Sequence, residues 1–190
     1  MKKYEFTGET KQVELSFRTV TLHRIKAVAE FGIVKVGDLG GWIEKEENLS
    51  HDGNAWVYGN AEVCGDAEVC GNAEVCGDAW IYGNAWVCGN AKVFGNAEVC
   101  GDAWIYGNAE VFSISHVLVI GPIGSRNDFT TFFRDKDSEI TVKCGCFIGK
   151  IDKFLEKVCE THGDSKYAIV YRSAAEIAKQ QIDLSEKKQL

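Results

Sequence analysis

The chain has 190 residues, long enough for one ordinary domain or one elongated repeat with small caps. No segment approaches 18 consecutive apolar residues and the N-terminus lacks an apolar signal-peptide core, so we expect a soluble cytoplasmic protein with no membrane partner. The net charge is −7, and residues 53–112 alone carry one basic and eight acidic side chains. Because so acidic a segment repels phosphates, a nucleic acid polymer is not an expected partner.

The first 38 residues are predicted to form a small β cap. Apolar and β-branched runs at residues 4–7, 13–17 and 19–22 predict three short strands. They lead into a repeat whose exposed ends need covering, because unpaired strand edges invite association.

A hexad repeat determines the middle of the chain. Ten hexads of the form Gly-(Asn/Asp)-Ala-X-(Val/Ile)-X run without insertion from Gly53 to Phe112. The Ala and the Val or Ile point to one side of a short strand, and Gly-Asn or Gly-Asp supplies the bend. Stacking at three hexads per 18-residue turn would bury this apolar face. Asn48–Leu49 and Val117 fall in the same frame, and Gly40-Gly41-Trp42-Ile43 begins the winding, so we expect a coil over residues 39–118.

This pattern resembles the hexapeptide-repeat family. The resemblance implies a left-handed parallel β-helix, and it also implies assembly as a trimer. We therefore expect a mainly β protein, in which a left-handed parallel β-helix is flanked by the β cap and by a C-terminal module.

The outward side chains of the hexads fall into three walls. Trp86 is predicted to lie beneath Trp104 with Tyr106 beside them, and we expect this exposed aromatic cluster to form a homo-oligomer interface.

Cysteines recur at the last hexad position, and without an export signal reduced thiols are favoured over disulfide bonds. These cysteines are Cys64, Cys70, Cys76, Cys88 and Cys100.

Residues 119–190 are predicted to form a small α+β module. Strands are expected at residues 129–133 and 140–147, followed by a helix that carries Ile151, Phe154 and Val158 on one stripe and ends at Gly163. Asp164–Ser165 can cap a second helix.

The whole chain resembles hexapeptide-repeat proteins encoded by phages and prophages. The similarity is carried by Gly-Asp-Leu-Gly-Gly-Trp-Ile at 37–43, by the repeats, and by the closing Ser-Arg, Cys-Gly-Cys-Phe and Thr-His-Gly-Asp segments. That group has no established activity. By analogy with phage-borne sponges of nucleotide immune signals, we expect the protein to sequester a ligand inside the bacterial host cell. We therefore expect a binding protein that is not an enzyme, needs no cofactor and takes a small anionic nucleotide-type ligand. A purely structural or protein-interaction scaffold is the alternative.

Arg126 is the leading candidate for the ligand contact, because a guanidinium with hydroxyls nearby suits a phosphate or carboxylate. Arg134 is a further basic residue of the same region. Tyr167 or Tyr171 could stack a base. The predicted binding set is Ser125, Arg126, Thr131, Lys143, His162 and Tyr167.

Two other chemistries also fit the sequence. Cys144, Cys146, Cys159 and His162 could meet as a zinc site, although their spacing also fits a packed core, and no metal is our preferred expectation. Acyl transfer is the activity that the fold family implies, but residues 53–112 contain no His and no loop insertion. His51 and His116 flank the repeat as isolated residues, so we rank this activity below binding.

Overall fold

A computed structural model describes residues 2–15 and 18–187. An N-terminal hairpin, a parallel coil and a C-terminal α+β module follow one another along the chain. The strands of the hairpin and coil are β1 (Tyr4–Leu15), β2 (Arg18–Ala27), β3 (Leu39–Ile43), β4 (Trp56–Val57), β5 (Glu62–Val63), β6 (Glu68–Val69), β7 (Glu74–Val75), β8 (Trp80–Ile81), β9 (Trp86–Val87), β10 (Lys92–Val93), β11 (Glu98–Val99), β12 (Trp104–Ile105) and β13 (Glu110–Val111). The module contains β14 (Val117–Ile123), β15 (Asp128–Arg134), β16 (Ile140–Cys144), β17 (Phe147–Lys150), α1 (Ile151–His162) and α2 (Lys166–Gln181).

The N-terminal segment forms two long antiparallel strands, so the expectation of three short strands is wrong. Residues 4–7 and 13–15 belong to the same strand, β1, because the polar residues between them continue the pairing with β2 after a register shift near Gly8. The end of the predicted 13–17 strand, residues 16 and 17, lies outside the described residues. Strand β2 pairs in turn with β3, the first strand of the coil, and the hairpin thereby extends one coil sheet.

The coil is a parallel β-helix of about four turns, as the hexads predict. Strands three apart in sequence are hydrogen-bonded neighbours, so that β4, β7, β10 and β13 stack in one sheet at 18-residue intervals. The first turn is longer, because Trp42 pairs with Glu62 and Leu49 with Val69, both 20 residues ahead. The hexad frame predicts an 18-residue turn at Leu49. This prediction is wrong, because two extra residues lie before Gly53.

The ten Ala and ten Val or Ile residues of the hexads are buried inside the coil, and this confirms the predicted core. Each buried Val side chain contributes on the order of 1.5–3 kcal/mol. At the corners, glycines have positive φ, and side-chain amides form a ladder in which Asn54, Asn72 and Asn90 each donate to the residue 18 positions ahead.

Two cysteine columns depart from the expectation of free, outward thiols. Cys64 lies outside the coil but is fully buried under the hairpin, where it packs with Leu22 and Trp42. Cys70 and Cys88 form a disulfide between consecutive turns, so the preference for reduced thiols is wrong at this pair. Their Cα atoms are 4.8 Å apart because stacked strands place equivalent residues next to each other.

The C-terminal module is a four-stranded antiparallel sheet, β14-β15-β16-β17, covered by the two helices. The single strand predicted over residues 140–147 is instead the pair β16 and β17, because Gly145 adopts φ 55° and reverses the chain. Val117, which the hexad frame places in the coil, lies in β14 instead and pairs antiparallel with Phe133.

Strand β15 joins the module to the coil. Side chains alternate across a strand, so Phe133 packs into the coil core while Phe132 packs into the module core. Arg134, a candidate for anion binding in the sequence, is buried at this junction instead. Its guanidinium lies 3.6 Å from Glu110, donates to Ser138 and stacks on Phe112.

Within the described residues, no helix is long and apolar enough to cross a membrane.

Candidate functional site

The C-terminal module contains a cavity of about 410 Å³ between the β14–β15 and β16–β17 turns of its sheet and its two helices. Three of the predicted binding residues line it, namely Ser125, Arg126 and His162. Its apolar lining comes from both helices and from β17, with Phe147, Phe154, Val158 and Tyr171. A cavity of this size, mostly apolar with a few convergent polar groups, is typical of small-molecule sites.

The turn between β14 and β15 positions Arg126. Asn127 has φ 53°, a left-handed conformation that Asn tolerates, and it completes the turn that presents Arg126 at the cavity. The Arg126 guanidinium lies against Gly145, where an added Cβ would be 2.7 Å from Nη1. Gly145 is favoured at this position by its positive φ of 55°, and a side chain there would have to displace the end of the Arg126 side chain.

Tyr171 forms the inner wall of the cavity. Its ring lies against Gly124, where a Cβ would be 2.0 Å from the phenol oxygen, and its centroid is 5.6 Å from that of Phe154. Burial raises the pKa of Tyr171, and the neighbouring Cys144 thiol raises it further. The His162 ring, in the last turn of α1, lies 5.7 Å from the Tyr171 ring, so an imidazole and a phenol meet in one cavity.

The remaining predicted residues lie elsewhere. The Thr131 side chain is buried and accepts a hydrogen bond from the backbone N–H of Trp104 at 3.0 Å. The Lys143 ammonium stacks on the Trp104 ring at 4.4 Å and donates to the carbonyl of Gly145. Both residues line a second, smaller cavity of about 170 Å³ together with Asp102 and Asp128.

Tyr167 has a different position again. Its ring is 6.0 Å from that of His162 and lies under the Lys166 ammonium, and it is not among the residues that line either cavity. The six predicted residues therefore divide into three in the larger cavity, two in the smaller one, and Tyr167 beside His162.

The sequence analysis did not predict Lys157 and Thr161 as site residues, yet both line the larger cavity from α1. Their helical spacing could have identified them. Lys157 and Thr161 are four residues apart, and they flank the apolar stripe of Phe154 and Val158 that the sequence assigned to the core.

The zinc alternative lacks geometric support. Gly145 separates Cys144 and Cys146 at a chain reversal, and Cys159 is exposed and is not a residue of the cavity lining. Over residues 2–15 and 18–187, no group of three or more His, Cys, Asp and Glu residues is arranged to hold a metal ion.

The aromatic wall is arranged as the repeat predicts. Trp86 pairs with Trp104, and their ring centroids are 4.9 Å apart. Trp86, Trp104 and Tyr106 are 36%, 40% and 43% exposed. The wall is less apolar than expected, because the Trp86 indole donates to Glu68 at 2.7 Å and Lys143 covers Trp104. Its role as a homo-oligomer interface, and the trimer, stay predictions.

Comparison with known proteins gives one informative similarity. No protein-family model matches the sequence. A curated relative from Escherichia coli (strain K12), named as the uncharacterized acetyltransferase YdcK, is 36% identical over 62 residues. The match covers 30% of this chain and 19% of the relative, so the chain spans about a fifth of that protein's length.

This similarity corrects one expectation from the sequence. We had expected a protein that is not an enzyme, and that expectation is wrong, because the relative is named as an acetyltransferase and thus points to enzymatic activity. The phage or prophage origin stays a prediction, and neither the structure nor the named relative supports the immune-signal sponge. The repeat, the parallel coil and the named relative together fit the hexapeptide-repeat proteins.

Proposed function

We propose that the larger cavity of the C-terminal module binds an anionic, nucleotide-bearing acyl donor and that the protein transfers the acyl group. The observation that carries this proposal is the convergence of Arg126, Lys157 and His162 on one cavity. Two cations and a potential base in a partly apolar pocket suit a ligand that is both charged and reactive.

The two cations come from opposite sides of the cavity. Arg126 projects from the β14–β15 turn and Lys157 from the exposed side of α1. A guanidinium binds phosphate through two parallel hydrogen bonds, and an ammonium adds a point charge. Ser125 and Thr161 add hydroxyl groups at the same rim. These groups support binding of a phosphate.

The apolar part of the cavity suits the rest of such a donor. The rings of Phe147, Phe154 and Tyr171 offer aromatic surface to a base or to a pantetheine-like chain. An acyl thioester of coenzyme A combines an adenine nucleotide, phosphates and a flexible apolar arm. The nucleotide-type ligand expected from the sequence is therefore retained in this proposal, but sequestration without turnover is not.

His162 is the group that we assign to proton transfer. In the relative's named reaction, acetyl transfer, a hydroxyl, amine or thiol attacks a carbonyl, and a base that removes its proton accelerates the step. The position of His162 on the cavity wall, with its ring 5.7 Å from the Tyr171 ring, supports this role.

The test is release of free thiol from acetyl-coenzyme A in the presence of a panel of amine and hydroxyl acceptors. We expect protein-dependent release with at least one acceptor, and a His162→Gln variant slower by about 10²–10⁴-fold. His23→Gln, which changes a histidine of the hairpin strand β2, is the matched control and should keep full activity. The absence of protein-dependent release with every acceptor would contradict acyl transfer.

A further inference from the structure

Two thiols lie at a single hairpin turn on the wall of the larger cavity. Cys144 ends β16 and pairs with Phe147, so that Gly145 and Cys146 alone form the turn into β17. Both cysteines are free thiols, and both line the cavity. The turn therefore places sulfur atoms beside the groups that we assign to the acyl donor.

The two thiols differ in burial and in their side-chain contacts. Cys144 is partly buried, accepts a hydrogen bond from the Thr130 hydroxyl at 3.3 Å and contacts the phenol of Tyr171. Cys146 is exposed, at the tip of the turn. A ligand that enters from solvent can therefore reach Cys146 without displacing another side chain.

Basic side chains line the same cavity as this turn. Arg126 lies against Gly145, the residue next to Cys146, and Lys157 and His162 line the cavity from α1. A thiol becomes a strong nucleophile when a neighbouring base takes its proton. We propose that Cys146 is a catalytic nucleophile that carries the acyl group between the donor and the acceptor.

The proposal rests on the proposed acyl transfer and specifies its first step. The Cys146 sulfur attacks the carbonyl carbon of the donor thioester while His162 takes the thiol proton. The bond between the carbonyl carbon and the donor sulfur breaks, and the donor leaves as a free thiol with the proton from His162. One thioester replaces another, so no oxidant or reductant is required, and attack by the acceptor on the new thioester restores the Cys146 thiol.

Intact-protein mass spectrometry after incubation with acetyl-coenzyme A, without acceptor, tests this step on the full chain. We expect one acetyl group per chain, located at Cys146 by peptide mapping, and labelling about 10²-fold faster than at Cys159, the lower end of what a positioned base contributes. Cys159 is the internal control, because it is an exposed free thiol on the same helix as His162 and is not a residue of the cavity lining.

Three variants separate the outcomes. Cys146→Ser should lose the label, Cys144→Ser should keep it, and His162→Gln should slow it by about the same 10²-fold. If acetyl-coenzyme A binds and thiol is released in the acceptor assay but Cys146 stays unlabelled, the nucleophile assignment is wrong and acyl transfer stands. If acetyl-coenzyme A does not bind at all, the proposed function itself fails. Equal labelling of Cys146 and Cys159 would reduce the observation to ordinary thiol reactivity and overturn the inference.

Discussion

Trp104, in the last turn of the coil, donates its backbone N–H to the Thr131 side-chain oxygen at 3.0 Å. One turn earlier, the equivalent Trp86 donates to the backbone carbonyl of Ala103 at 2.8 Å. The hydroxyl of strand β15 thus takes the place that the carbonyl of a further turn would occupy. Phe133, two residues along the same strand, closes the coil core.

Replacing Thr131 by Val should destabilise the protein. The substitution keeps the shape but leaves a backbone donor at the coil end without its partner, which costs about 1–3 kcal/mol. Chemical denaturation followed by circular dichroism measures the change in the free energy of unfolding. Thr19→Val, on an exposed position of β2, is the control and should change stability by no more than about 0.5 kcal/mol. Equal effects of the two variants would exclude the capping role.

His116 should make the protein sensitive to acid. It is fully buried after the coil, where Nδ1 accepts the N–H of Phe112 and Nε2 lies 3.2 Å from Glu186. Burial lowers its pKa, and Arg134 acts in the same direction, while Glu186 and Asp183 oppose the shift. The unfolded chain therefore binds a proton at a higher pH than the folded protein. Stability is fully present above the unfolded pKa of about 6.5 and falls as the pH drops below it.

Denaturation curves at pH 7.5 and 5.5 measure this effect. Between these two pH values the wild type should lose up to about 1.4 kcal/mol more stability than His116→Phe, because only the pH unit below 6.5 contributes the full effect. The comparison isolates His116, because His51, whose pKa is also lowered by burial, is present in both proteins. If the two proteins lose the same stability on acidification, His116 does not supply the pH dependence.

The exposed aromatic wall should mediate self-association. Aromatic side chains are enriched at the cores of interfaces, and Trp86, Trp104 and Tyr106 are each more than one-third exposed in the single chain. Trp104→Glu should therefore lower the molar mass in solution measured by light scattering, while circular dichroism reports an intact coil. Thr19→Glu adds the same charge to the hairpin and should leave assembly unchanged. A monomeric wild type at micromolar concentration would refute this prediction.

The coil could be predicted in detail because the hexad carries its own register. Every repeat places Ala and Val or Ile on the same side, so the 18-residue turn and the buried face follow from spacing alone. The first turn could not be predicted, since the two extra residues between Leu49 and Trp56 lie before the strict repeat. The burial of Cys64 depends on where the hairpin folds back, which no local pattern encodes.

The candidate site was predictable only in part. Ser125 and Arg126 lie in the β14–β15 turn and His162 ends α1, and the structure brings the three together at one cavity. Cys144-Gly145-Cys146 fits either a strand or a turn, and the choice depends on the pairing of β16 with β17. The Thr131 hydroxyl is a group that could contact a ligand, but it accepts a hydrogen bond from Trp104 at the end of the coil instead.

Calorimetric titration of acetyl-coenzyme A into four proteins tests most directly the claim that the larger cavity binds an anionic acyl donor. The wild type should bind with a micromolar dissociation constant. Arg126→Ala removes a charge-assisted contact worth about 1.5–3 kcal/mol and should weaken binding about 10–150-fold. Lys157→Ala should also weaken it.

Lys153→Ala is the matched control for Lys157. Both lysines lie on α1 and pair with a glutamate three residues ahead, but only Lys157 lines the cavity. Lys153→Ala should therefore bind acetyl-coenzyme A like the wild type. No binding tighter than millimolar by the wild type, or equal affinities of the wild type and Arg126→Ala, would contradict the claim that the larger cavity binds the donor.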